Sequence, residues 1–159
     1  MSRKLVAYFS AGGVTASAAE KLADAIHADL YEIVPEELYT QADLDWTDHH
    51  SRSTKEMKNL SFRPALKKKD AGIDSYDAVF VGFPIWWGIA PTLINTFLES
   101  YDFSGKTVIP FATSGGSGMG KTDAGLKPSC SKDTKWKQGK LLNGLSKERM
   151  AAWADSLDL

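Results

Sequence analysis

Short apolar runs alternate along the chain with stretches that have helical periodicity. Residues 5–9 are continuously apolar, which is typical of a strand buried on both faces of a sheet. From Ala19 to Leu30, apolar residues recur every three or four positions, which predicts an amphipathic helix. Strands that alternate with helices indicate an α/β fold whose parallel sheet is covered on both faces. The other predicted strands cover residues 31–34, 78–81, 107–112 and 136–142.

Two further helices are predicted in the second half of the chain. Pro91 can open one of them at a favoured first position, followed by an apolar stripe from Leu93 to Leu98. Ser146 is a suitable N-cap for the last helix. Gly139 falls inside the fifth predicted strand, where it favours a bulge.

Residues 36–75 are polar and carry the weakest pattern, with one helix predicted near residues 54–60. Carboxylates and imidazoles are concentrated in this segment, but their spacing fits neither a helical nor a zinc-finger motif. We therefore predict no metal site there. The residues concerned are Asp43, Asp45, Asp48, His49 and His50.

Composition and charge narrow the functional class. The 159 residues suit one domain over residues 1–159, and 43% of them are hydrophobic. A net charge of −1 argues against a nucleic-acid-binding protein. No apolar stretch reaches the roughly 20 residues of a membrane span, and the start lacks the features of a signal peptide. With Cys130 as the single cysteine, these features predict a cytoplasmic protein without a disulfide or a membrane partner.

Three loops follow the first, third and fourth predicted strands, at the edge of a parallel sheet where ligands bind. The first loop leads into a helix, whose N-terminal amides carry positive partial charge and suit a phosphate. Its glycines allow close approach, and the hydroxyls of Ser10 and Thr15 add donors. A plain tight turn capped by Ser10 is the alternative. The candidate residues are Ser10, Ala11, Gly12, Gly13, Val14 and Thr15.

The second loop, residues 82–91, contains two adjacent tryptophans, Trp86 and Trp87. Exposing both is costly, and both cannot easily enter the same core. A flat aromatic ligand that stacks on one of them would resolve this conflict. The alternative is that both side chains fold back onto the domain. The candidate residues are Pro84, Ile85, Trp86, Trp87 and Gly88.

The third loop, residues 113–120, can surround the edge of a planar ring with backbone amides. It also contains a P-loop pattern, GxxxxGK[ST], from Gly115 to Thr122. A nucleotide triphosphate site is disfavoured because Gly125 and Pro128 leave room for little more than one helical turn after it. No later apolar strand ends in an aspartate that would hold magnesium. The candidate residues are Thr113, Ser114, Gly115, Gly116, Ser117 and Gly118.

Together the three loops resemble those of the flavodoxin family, in particular its short flavodoxin-like subgroup. The motifs that carry the resemblance are SAGGVT at 10–15, GFPIWWG at 82–88 and TSGGSG at 113–118. The resemblance covers nearly the whole chain. It implies a flavodoxin-like three-layer sandwich with a five-stranded parallel sheet in the order 2-1-3-4-5, and FMN at the switch point. The first loop would take the FMN phosphate, and the other two would line the isoalloxazine ring.

Some features depart from the family pattern. Typical flavodoxins have SxTGNT in the first loop, whereas Gly12 and Val14 stand here in place of Thr and Asn. Phosphate binding would therefore depend more on backbone amides. The usual aromatic residue of the third loop is missing, so one flavin face is expected to be open to solvent, to a partner, or to Tyr39 or Trp46.

The resemblance implies a protein that binds FMN and transfers electrons to a redox partner protein or a small electron acceptor. Trp87 is the first choice for stacking on the ring, because the Trp87–Gly88 peptide can flip and offer its carbonyl to protonated flavin N5. An NAD(P)H-dependent flavin or quinone reductase is the alternative. The open flavin face and the near-neutral charge favour the reductase. The small size and the lack of an obvious nicotinamide pocket favour the carrier.

Overall fold

The computed structural model describes residues 3–114 and 118–159, which form a parallel sheet covered by helices on both faces. The strands are β1 (Lys4–Tyr8), β2 (Asp29–Glu32), β3 (Ala78–Pro84), β4 (Thr107–Thr113), β5 (Lys135–Trp136) and β6 (Lys140–Leu141). The helices are α1 (Val14–Ile26), α2 (Arg52–Lys58), α3 (Thr92–Glu99), α4 (Thr122–Leu126) and α5 (Lys147–Ser156). Short 3₁₀ helices cover Ile73–Ser75 and Lys127–Ser129.

The strand order is β2-β1-β3-β4-β5, and every pairing is parallel, which confirms the predicted 2-1-3-4-5 sheet. Each central strand buries both faces. One face of the sheet packs in a cluster with α3, through Val79, Val81 and Phe97, and the other packs with α1 and α5. From β1 the chain continues to β2 on one side of β1 and then crosses to β3 on the other side. The loops after β1 and β3 therefore lead to opposite sides and leave a crevice between them.

The fifth strand is split into β5 and β6 because of Pro110 in β4. The carbonyls of Val108 and Ala112 accept from the N–H groups of Lys137 and Leu142, so this side of β4 faces the fifth strand. Pro110 lies between them on the same side and has no N–H to offer. The pairing with β4 shifts by one residue between the pairs Val108–Trp136 and Phe111–Lys140, so the fifth strand has one extra residue near Gly139, as expected for the predicted bulge.

Several element boundaries differ from the prediction by a few residues, and two of these differences have a clear physical cause. The second strand covers Asp29–Glu32 rather than 31–34, because its ladder with β1 begins at the pair Leu5 and Asp29. The second strand lies at the edge of the sheet, and most of its side chains are exposed. Polar residues can therefore take part in this strand without being buried. Pro91 is the N-cap of α3 rather than its first residue, since its backbone is extended (ψ 143°).

The segment before β3 is closed near its two ends by a long-range contact. An antiparallel bridge joins Pro35 to Leu66, and the helix predicted near residues 54–60 lies at Arg52–Lys58. Ser51 caps this helix by accepting a hydrogen bond from the Thr54 N–H. Ser146 caps α5 in the same way, as its side chain accepts from the Arg149 N–H.

Within the described part of the chain, no helix is long and apolar enough to cross a membrane.

Candidate functional site

The first loop is an open glycine turn at the start of α1. Gly13 is the N-cap with φ 92°, a left-handed conformation that suits glycine. The Ser10 hydroxyl accepts from the Gly13 N–H at 3.0 Å, which fixes the turn and leaves the hydroxyl proton able to donate. A Cβ added at Gly12 or Gly13 would meet nothing within 4 Å. The first-turn amides of α1 lack intrahelical partners and therefore suit an anion in this open space.

Thr15 connects the first loop to the third. Its hydroxyl is 2.7 Å from the hydroxyl of Thr113, and both residues are buried. One of the two hydroxyls donates to the other, so this contact holds the start of α1 against the end of β4. The Thr15 side chain predicted as a phosphate donor thus has a second role, as a bridge between two loops.

The two adjacent tryptophans form a tight turn. The Trp86 N–H donates to the Ile89 carbonyl at 2.9 Å, and the Ile89 N–H donates back to Trp86 at 3.2 Å. Trp87 and Gly88 occupy the centre with φ of 51° and 79°, the pattern of a type I′ turn. Positive φ is natural for Gly88, but for a residue as bulky as Trp87 it is a strained conformation of the kind found at binding sites.

The tryptophan side chains have different environments. Trp86 packs edge-on against Phe9 and Tyr39, with ring centroids 5.9 and 5.5 Å apart. Trp87 is 51% exposed. The alternative in which both side chains fold back onto the domain is therefore wrong for Trp87 and correct for Trp86.

The third loop holds this turn from both sides. The Ile85 N–H donates to the Thr113 carbonyl, and the Lys121 N–H donates to the Gly88 carbonyl, each at 3.0 Å. Gly120 passes so close that an added Cβ would lie 2.3 Å from the Gly88 oxygen, and its φ is 57°. Gly120 is therefore required both by its backbone conformation and by the lack of space.

Asn143 is a site residue that the sequence analysis missed. Its side-chain oxygen accepts from the Ser114 N–H, and its amide nitrogen donates to the Ser114 carbonyl, both at 2.9 Å. This pair of bonds fixes the start of the third loop to the turn after β6. The available signal was the Asn143–Gly144 dipeptide, a turn sequence at the carboxyl end of the fifth strand.

The three loops meet around a cleft of about 300 Å³ at the carboxyl end of the sheet. This volume falls at the lower end of the range for small-molecule sites, roughly 300–1,000 Å³. Gly115, Gly116 and Ser117 lie outside the described residues, and Gly118 is exposed. The cleft is lined by Gly12, Val14, Thr15, Pro84, Ile85, Trp86, Thr113, Ser114 and Asn143.

The tail of the P-loop pattern does not form the helix that such a site needs. The helix that follows Lys121 is only five residues long, and Thr122 is buried with its hydroxyl 3.5 Å from Asp123.

The side chains of Asp45 and Asp48 accept from backbone N–H groups two residues further along. The described residues contain no group of three or more His, Cys, Asp or Glu that could hold a metal ion.

Behind Trp86 lies a polar network from the 36–75 segment. The Tyr39 hydroxyl donates to Glu56, which also accepts from the Arg52 Nε at 2.8 Å. The Arg52 guanidinium covers the Tyr39 ring at 3.9 Å, so that ring face is not free to stack on a ligand. Burial, and then the bond to Glu56, raise the pKa of Tyr39 well above its usual value. Trp46, the other aromatic residue considered, is 72% exposed.

The sheet order, the crevice at its switch point and the three converging loops define a flavodoxin-like α/β protein. The flavodoxin family profile matches residues 3–157, and the chain belongs to the flavodoxin family. No curated protein is significantly similar to the chain.

Several solved structures share this fold. A candidate flavoprotein from Bacteroides eggerthii is 51% identical, with coverage of 100% of this chain and 99% of its own and a TM-score of 0.95. One from Bacteroides uniformis is 49% identical over 97% of this chain and 98% of its own, with a TM-score of 0.91. A flavoprotein from Lactobacillus acidophilus, solved in complex with FMN, is 20% identical, covers both chains fully and has a TM-score of 0.73.

Proposed function

We propose that the chain binds one FMN without a covalent bond and transfers electrons through it. The observation that carries this proposal is the convergence of the open glycine turn, the tryptophan turn and the third loop on one cleft. The flavoprotein from Lactobacillus acidophilus shares the fold and was solved in complex with FMN, which supports FMN as the ligand. FMN supplies the redox chemistry when bound, and the protein supplies the site.

The phosphate end of the site depends on backbone groups. The first-turn amides of α1 face the open space beside Gly12 and Gly13, and the Ser10 hydroxyl proton can add a donor. The positive end of the α1 dipole favours a negative charge at this position. These groups can hold a phosphate without a lysine or arginine in the loop.

The ring end of the site depends on the tryptophan turn. Pro84, Ile85 and Trp86 line the cleft, and Trp87 presents an exposed ring next to them. A flip of the Trp87–Gly88 peptide at the positive φ of Trp87 would give a type II′ turn, which requires glycine at the first central position, so the flip would also have to bring φ of Trp87 to a negative value. We assign the Trp87 carbonyl the role of a hydrogen-bond acceptor for the flavin ring, with Trp87 as the stacking residue.

FMN binding is tested directly by absorption and gel filtration. We expect purified protein mixed with FMN to retain flavin absorption through a desalting step, at about one flavin per chain. Riboflavin lacks the phosphate that the first-turn amides of α1 would hold, so it should bind more weakly than FMN. A hydrophobic surface that binds dyes nonspecifically would not distinguish the two flavins. Protein that elutes colourless in the presence of excess FMN would refute the proposal.

Removing the Trp87 side chain should weaken FMN binding without unfolding the protein. We expect Trp87→Gly to raise the Kd for FMN about 5- to 12-fold, the value of one stacked aromatic pair at about 1–1.5 kcal/mol. Because glycine relieves the positive φ, the free energy of unfolding without flavin should stay the same or rise by up to about 1 kcal/mol. Titration of FMN fluorescence and chemical denaturation measure the two quantities.

Phe62→Gly is the matched control, since it removes another exposed aromatic side chain from a different segment. It should leave the Kd for FMN unchanged. A Trp87→Gly protein that binds FMN as tightly as the wild type would show that Trp87 does not stack on the ring.

The near-neutral net charge of −1 favours the reductase alternative, since it gives no electrostatic steering towards a charged partner protein. Rapid oxidation of NADPH by the FMN-loaded protein with a quinone would favour the reductase. Stepwise one-electron reduction by dithionite, without NADPH oxidation, would favour an electron carrier that works with a partner protein. Cys130 is half-buried, and burial raises the pKa of its thiol to about 12, which disfavours the nucleophilic thiolate.

A further inference from the structure

The network of Arg52, Glu56 and Tyr39 places a buried ion pair behind the ring end of the cleft. Glu56 is 6% exposed, and a carboxylate is this deeply buried in proteins only when it is paired. The Tyr39 hydroxyl donates to one of its carboxylate oxygens, and the Arg52 Nε donates to the other at 2.8 Å. The network therefore contains one negative and one positive charge, which balance each other.

The ion pair is separated from the cleft wall by a single aromatic ring. The guanidinium carbon of Arg52 lies 3.9 Å from the centroid of the Tyr39 ring. The Tyr39 ring in turn packs edge-on against Trp86, with centroids 5.5 Å apart, and Trp86 lines the cleft. Arg52 also donates to the Glu37 carbonyl at 2.7 Å, which fixes the guanidinium in this position.

Solvent reaches the ion pair from its outer side, where Arg52 and Glu56 line a surface pocket of about 500 Å³. Four further titratable residues line this pocket, namely Glu37, Asp43, His50 and Lys55. On the inner side, the rings of Tyr39 and Trp86 lie between the ion pair and the cleft. Charges act more strongly through such apolar surroundings than through water, so a change in the ion pair is felt in the cleft.

We propose that Arg52, Glu56 and Tyr39 are positioning residues for the flavin ring, which act on it through Trp86. Tyr39 holds the Trp86 ring in the cleft wall, and the Arg52–Glu56 pair keeps the charge behind that wall balanced. Two-electron reduction with uptake of one proton adds one negative charge to the flavin, so this balance sets the preference between oxidised and reduced FMN. This inference rests on the proposed function and deepens it.

The test replaces each charged residue by glutamine and measures the midpoint potential of the bound flavin. Compared with free FMN, this potential gives the ratio of the Kd for reduced FMN to the Kd for oxidised FMN. Glu56→Gln leaves the positive charge unpaired and should lower the ratio about threefold, whereas Arg52→Gln should raise it about threefold. The double variant again has no net charge, and its ratio should return to that of the wild type.

A second arginine–glutamate pair provides the matched control. The Arg63 Nε lies 3.0 Å from Glu99, which is the last residue of α3. The tryptophan turn precedes the other end of this helix, about 12 Å away along its axis. Arg63→Gln and Glu99→Gln remove the same kinds of charge far from the cleft, and both should leave the ratio unchanged.

Tyr39→Leu tests the packing on Trp86 without changing any charge. We expect it to raise the Kd for oxidised and reduced FMN alike, by about fivefold, the value of one aromatic contact. Titration of the flavin-free protein by fluorescence measures the first of these constants, and the midpoint potential then gives the second. Unchanged Kd values in Tyr39→Leu would overturn this inference.

A purely structural role of the ion pair would weaken the binding of both redox forms equally and leave the ratio unchanged in both glutamine variants. That result, or two shifts in the same direction, would overturn this inference and leave the FMN proposal intact, provided that the wild type binds FMN. A wild type that binds no FMN would overturn both proposals.

Discussion

Replacing Gly120 by alanine should weaken FMN binding by about 30-fold or more, equivalent to about 2 kcal/mol. The new Cβ would lie 2.3 Å from the Gly88 carbonyl oxygen, far inside van der Waals contact, and φ of 57° strains any L-residue. The backbone must move to relieve the clash, and the hydrogen bond from Lys121 to Gly88 is then lost or lengthened. The tryptophan turn then loses one of the hydrogen bonds that connect it to the third loop in the described part of the chain.

Gly125→Ala provides the control for this prediction. Gly125 lies in α4, and a Cβ added there meets nothing within 4 Å. This variant should bind FMN as the wild type does, as measured by fluorescence titration. Near-ultraviolet circular dichroism should show an altered tryptophan signal for Gly120→Ala and not for Gly125→Ala. Wild-type affinity in Gly120→Ala would mean that the turn is not positioned by this contact.

The largest effect on stability is expected for Gly82→Ala. Gly82 lies in β3 directly opposite Phe111 of β4, and an added Cβ would lie 2.1 Å from the Phe111 Cζ. Phe111 is fully buried, so its ring cannot swing away into solvent. Overpacking of this kind costs about 1–3 kcal/mol, and we expect the upper end because the clash involves the body of the ring. The melting temperature should fall by about 6–12 °C.

A double variant separates this clash from a backbone effect. In Gly82→Ala with Phe111→Leu, the smaller side chain leaves room for the new methyl group. The double variant should therefore lose less free energy of unfolding than the sum of the two single variants. Strict additivity would indicate that Gly82 is needed for some reason other than the Phe111 ring. Chemical denaturation of all four proteins completes the cycle.

The order and type of the sheet elements could be predicted because the central strands are apolar on both faces and short. The run at residues 5–9 and the run at 78–81 are followed by glycine-rich or aromatic loops, and these cues are local. The second strand begins two residues earlier than predicted, because Asp29 pairs with Leu5 through its backbone. The polarity of the Asp29 side chain gives no sign of this backbone pairing. Long-range register of this kind is invisible to a local pattern.

The candidate site was predictable as three loops but not as a set of contacts. The sequence could not separate the tryptophans, because the difference between them is set by Phe9 and Tyr39, which lie far away in sequence. The partnership of Asn143 with Ser114 spans 29 residues and has no spacing rule. The role of Gly120 depends on the position of the Gly88 carbonyl, which only the folded chain defines.

The missing N–H of Pro110 also affects how the protein meets other copies of itself. By splitting the fifth strand into two pieces of two residues each, it leaves this outer margin of the sheet without a continuous row of free backbone groups. Lys135, Lys137 and Lys140 add positive charge along the same margin. Short, interrupted and charged strands are poor templates for β-pairing between molecules. The same proline that interrupts the fifth strand thus protects the protein against edge-to-edge aggregation.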